Sequence, residues 1–94
     1  MSLEATEWAM RKRNIPPREF CVLLAIANST MPLDDEWIYT GGLGRLASWT
    51  HLSEQEVEFS LLALAAGGYL RSLSPGRDPL IITLNIPPLP EELR

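Results

Sequence analysis

The stretch GLGRLASWTHLSEQEVEFSLLALAAGGYL, residues 42–70, decides how the remainder of the chain is arranged. It reads as a short helix, a tight turn opening on Leu52-Ser53, a second helix, and Gly67-Gly68 releasing the chain into a strand, the pattern of two helices set at an angle by a short turn. The second helix starts on a capping box, with the Ser53 hydroxyl accepting from the Glu56 backbone N–H and the Glu56 carboxylate reaching back to the Ser53 N–H. Its start is therefore the best-defined boundary in the sequence. Val57, Leu61 and Leu64, with small Ser60 between them, follow the spacing of one buried helix face. Leu43, Leu46 and Ala47 supply a matching stripe on the preceding helix, so any function of the pair belongs on the opposite face of the second one.

Around this unit the chain is short. Its 94 residues fit one small domain, because a second would leave neither part enough buried surface to fold. An apolar content of 46% and a charged content of 21% are ordinary for a globular protein and exclude a disordered tail. The net charge of −4 opposes nonspecific coating of nucleic acid, since that binding is supplied by Lys and Arg neutralising phosphates. Distribution matters more than the sum, and Arg11, Lys12, Arg13 and Arg18 place four of the eight bases together.

Cys21 is the single cysteine, so no internal disulfide can form; a small core residue in a reduced, cytoplasmic setting is the simple expectation. Cys21 and the lone His51 fall short of the roughly four ligands a structural zinc needs. They supply no nucleophile and base set either, so neither an enzyme nor a cofactor or metal site is expected. No signal-peptide pattern opens the sequence, and no apolar run approaches the roughly 20 residues that span a bilayer.

Upstream of the decisive stretch, the pattern predicts a first helix from a Ser2 cap to about Arg13, with Leu3, Trp8 and Met10 facing inward. Arg11, Lys12 and Arg13 fall in its last turn, where cations complement the helix dipole. Pro17 suits the first turn of a second helix reaching about Asn28, apolar almost all round and therefore central. Residues 31–36 read as an acidic loop and Trp37-Ile38-Tyr39 as one short strand. The Gly-Gly-x-Gly run at 41–44 lacks the Lys-Ser/Thr that a phosphate loop requires.

Downstream, apolar runs at 69–73 and 80–84 flank a turn containing Pro75-Gly76, which predicts a β-hairpin with Arg77 at its tip. The strand at 37–39 is expected to add to its edge. The proline-rich residues 85–94 read as a tail or as a linker into a longer parent, leaving 1–84 as the domain.

These residues resemble the winged helix-turn-helix domains at the N-terminus of phage and plasmid replication initiators and related bacterial regulators. The resemblance rests on Trp8, the Val22 to Ala27 helix, Leu46-Ala47, Thr50-His51-Leu52-Ser53, Val57, Leu61, Leu64 and Gly68-Tyr69-Leu70. It implies a mainly α fold of about four helices plus a two- or three-stranded wing. It also implies a DNA-binding module of a transcription regulator or replication initiator, acting on double-stranded DNA as a dimer. The DNA contacts it implies are Thr50, His51, Ser53, Gln55 and Glu58 near the second motif helix, with Arg45 and Arg77 for phosphates.

The sequence departs from that family in two places. His51 stands where the turn usually has glycine, and must accept a left-handed conformation or a changed turn. Glu54, Glu56 and Glu58 open the helix with no base among them, although carboxylates face a phosphate-lined groove unfavourably. Phe59, Leu62, Ala63 and Ala66 form a second apolar side, to be covered by the N-terminal helix or by another protein chain. An alternative function follows: a winged-helix protein interaction or dimerisation module that has lost DNA binding and uses this apolar and acidic face.

Overall fold

The two-helix unit is built as its sequence dictates. Among the described residues, which in this computed structural model are 3–33, 36–74 and 79–87, helix α3 covers Leu43–Thr50 and helix α4 covers Glu54–Ala66. Both halves of the capping box form, the Glu56 N–H donating to Ser53 Oγ and the Ser53 N–H to Glu56 Oε1, each at 3.1 Å. The α3 helix ends on His51 in the left-handed conformation (φ 59°, ψ 31°), so the turn keeps a glycine-like shape without the glycine. At the far end of α4, Gly68 takes φ +84°. The Gly68 N–H then reaches the Ala65 carbonyl and the Tyr69 N–H the Leu64 carbonyl, a Schellman closure that needs a residue free to be left-handed.

Two further helices precede this unit, α1 (Leu3–Met10) and α2 (Pro17–Ser29, with Pro17 in its first turn). Helix α2 is the hub, touching α1, α3, α4 and strand β2 (Glu36–Gly41). Its buried side carries Glu19, Val22, Leu23, Ile26 and Ala27, while Cys21 is exposed. The helix is thus two-sided rather than apolar all round, and Cys21 is not a core residue.

The α1 helix departs from expectation as well. Ala5 and Ala9 are buried, Trp8 is half-buried, and Leu3 and Met10 face solvent at 69% and 60% exposure. Small residues one turn apart let α1 lie close against α2, which leaves no room for the larger pair. Because α1 stops at Met10, the basic cluster follows the helix instead of closing it, and Lys12 Nζ sits over the Trp8 ring at 4.6 Å from its centroid.

The β part exceeds the expected wing. Strands β1 (Met31–Leu33), β2, β3 (Leu70–Leu73) and β4 (Leu80–Leu84) form one antiparallel sheet in the order β1-β2-β4-β3. The expected hairpin is present as β3 and β4, with Leu73 opposite Ile82. Residues 31–33, expected in a loop, pair instead with β2, Met31 opposite Ile38 and Leu33 opposite Glu36. Consequently β2 is an interior strand, with Tyr39 opposite Ile82, and β1 and β3 are the edges. Pro32 has no N–H to offer a further strand, which blunts the β1 edge.

One sheet face, carrying Tyr39, Leu80, Ile82 and Leu84, joins Val22, Leu23, Ile26, Leu46, Val57, Leu61 and Leu64 in a single core. Gly41 is needed here for space: a Cβ would stand 2.7 Å from the Tyr39 hydroxyl oxygen. That hydroxyl donates to the Gly42 carbonyl at 3.2 Å. Beyond β4 the chain stays attached, with Asn85 donating from its backbone to Tyr69 and from its amide to Gly68. Four expectations fall outside the described residues: the Ser2 cap, Asp34 and Asp35 of the acidic loop, Arg77 at the hairpin tip, and the tail from Pro88 onward.

Candidate functional site

Helix α4 has a buried stripe (Val57, Ser60, Leu61, Leu64) and an open one. Phe59 and Leu62 are 56% and 61% exposed, and Ala63 and Ala66 are exposed beside them. Of the two covers expected for this second apolar side, the N-terminal helix does not supply one: α1 packs on α2, and Phe59 and Leu62 stay exposed.

At the N-terminal half of α4, Phe59 and Leu62 join Glu54, Gln55 and Glu58 in lining a recess of about 310 Å³. The Glu54 carboxylate leans back over the first turn of α3, 3.8 Å from where a Cβ on Gly44 would stand. It therefore lies near the N-terminal end of a neighbouring helix. No Lys or Arg occurs anywhere from 54 to 66. The recess offers an aromatic ring, an aliphatic side chain, an amide and carboxylates.

Four of the residues expected at DNA fall in two recesses. Gln55 and Glu58 line the α4 recess, whereas Thr50 and His51 line a separate shallow groove of about 690 Å³, together with Met10, Cys21, Leu24 and Trp49. The Thr50 hydroxyl donates to the Leu46 carbonyl at 2.7 Å, and the Ser53 hydroxyl is held by its cap. Arg45 is exposed on α3, its guanidinium 5.4 Å from the centroid of the Trp49 ring. Arg45 also lies close enough to Tyr39 to pull the pKa of that hydroxyl down, although burial outweighs it and leaves the pKa raised. Arg77 lies outside the described residues.

Sequence reasoning missed a second open apolar surface. Met31, Leu33 and Ile81 are exposed on the sheet face turned away from the core, around half-buried Ile38. Alternation in 80–84 points to Ile81, but Met31 and Leu33 gain a face only by pairing with β2. Among the described residues, no group of three or more His, Cys, Asp or Glu could hold a metal ion, and no helix is long and apolar enough to cross a membrane. No protein-family model matches the chain, and neither a curated protein nor a solved structure is detectably similar to it.

Proposed function

We propose that the chain is a winged helix-turn-helix module that docks another protein on the outward face of α4. Three features support the winged-helix layout: the sharp turn through left-handed His51, the capped helix that follows, and the antiparallel β3–β4 ribbon after it. One observation carries the protein-docking reading. The face that a DNA-reading helix would turn toward the groove holds Phe59 and Leu62 more than half exposed, and the helix has no base. Exposed apolar side chains of this size in one patch favour a protein surface, while affinity for DNA comes mainly from cations on phosphates.

The DNA reading, with the chain serving a regulator or replication initiator, draws its support from exposed Arg45 on α3. A salt titration with random-sequence duplex DNA separates the two. The expected result is no binding that strengthens as salt falls from about 200 to about 50 mM. Binding that does strengthen, and that weakens on Arg45→Ala, overturns protein docking in favour of DNA.

A further inference from the structure

We infer that the α4 surface takes a basic amphipathic helix from its partner, with an Arg or Lys side chain laid across the recess; this rests on the docking reading above. The wall of the recess is apolar along Phe59 and Leu62 and acidic at Glu54, and Gln55 adds an amide. An Arg or Lys side chain matches that order, because its methylene stem covers apolar surface while its head stays polar. The Phe59 ring is open to a cation, and Glu54 supplies the countercharge. Ala63 and Ala66 extend the patch along the axis of α4 with side chains too small to hold a facing backbone away. A second helix can therefore lie along the groove they leave, its apolar residues repeating every three or four positions.

Charge settles which helix. An acidic segment would meet a helix bearing Glu54, Glu56 and Glu58 on a chain of net charge −4, and like-charge juxtaposition suppresses a partner. A second copy of α4 brings the same acids and no base, so pairing of α4 with α4 lacks the complementarity that a basic helix has.

The test is a selection from a displayed library of helical peptides randomised at their surface positions, with the intact chain as bait and Phe59→Asp as counter-bait. Enriched peptides are expected to carry Lys or Arg beside a Leu-type stripe. Phe59→Asp and Leu62→Asp, each first shown by circular dichroism to be folded, should weaken them at least about thirtyfold, as hot-spot truncations do. Glu54→Lys should weaken them by about two- to fivefold. Enriched peptides that are acidic or uncharged, or that ignore Glu54→Lys, overturn the basic partner but leave docking intact. If no peptide prefers the intact chain to Phe59→Asp, docking on α4 fails together with the inference.

Discussion

Leu61 and Phe59 stand two positions apart on α4, so their alanine variants measure whether the outer face is open. Leu61 is 3% exposed inside the core. Its truncation loses transfer energy and leaves a cavity, a loss of about 2–5 kcal/mol. For a domain of this size each 1 kcal/mol shifts Tm by about 4–8 °C, so Leu61→Ala should melt at least about 8 °C lower. Phe59 is 56% exposed, which leaves a little under half of its side chain removed from water. Full burial of Phe contributes about 1.5–3 kcal/mol, so the part at stake is about 1 kcal/mol. Alanine returns some of that through its better helix propensity, up to about 0.7 kcal/mol. The net change for Phe59→Ala should stay below about 1 kcal/mol.

Thermal melts followed by circular dichroism, run over a range of protein concentrations, read both variants. If Phe59→Ala lowers Tm as far as Leu61→Ala at every concentration, the outer face of α4 is covered within the folded monomer and the docking argument is wrong. If its loss appears only as concentration rises, the cover is a second copy, because linkage to self-association makes Tm concentration-dependent.

Three further substitutions test the local physics. Ser53→Ala removes one half of the capping box and should lower stability by about 1 kcal/mol, with faster hydrogen exchange in the first turn of α4 and little change elsewhere. Ser60→Ala should do the opposite: the Ser60 hydroxyl is fully buried with no hydrogen-bond partner, so its removal should raise stability by about 1 kcal/mol in urea unfolding. The Tyr39 pKa is raised above 10.0, mainly by burial and against the pull of Arg45. Because the folded state holds this proton more tightly than the unfolded one, stability is fully present below pH 10 and falls as pH rises through the folded pKa. Tyr39→Phe should flatten that alkaline decline in pH-dependent unfolding, at the expense of the bond to Gly42.

What the sequence disclosed was local. Ser53 and Glu56 satisfy each other across one turn, and Val57, Leu61 and Leu64 repeat on one helix, so both features can be read without knowing what lies nearby. Gly68 marks the end of α4 for the same reason. What it hid was nonlocal. Met31-Pro32-Leu33 has neither the length nor the alternation of a strand, and becomes one only because β2 accepts it in register. In α1 the large Leu3 and Met10 invited a core role, yet the close approach to α2 selects Ala5 and Ala9. The candidate site divides along the same line. The composition of the outer face of α4 was plain, but whether α1 covered it depended on where two helices far apart in the chain come to rest.

The acids at the start of α4 connect its stability to its choice of partner. Glu54 and Glu56 lie in the first turn, where a carboxylate stabilises a helix by about 0.3–1 kcal/mol. The charge that best stabilises this helix end is thus the charge that repels a phosphate. Bases at the outward positions Gln55, Phe59 and Leu62 would leave the cap and the buried stripe untouched. A Gln55→Lys, Phe59→Arg, Leu62→Lys variant should therefore fold and, if α4 is presented as in a winged helix-turn-helix, acquire salt-dependent binding to duplex DNA. Three added phosphate contacts steepen the dependence of log K on log salt by about 3, close to 0.9 for each contact. A folded variant that still ignores DNA would show that this turn and ribbon do not present α4 to a groove at all.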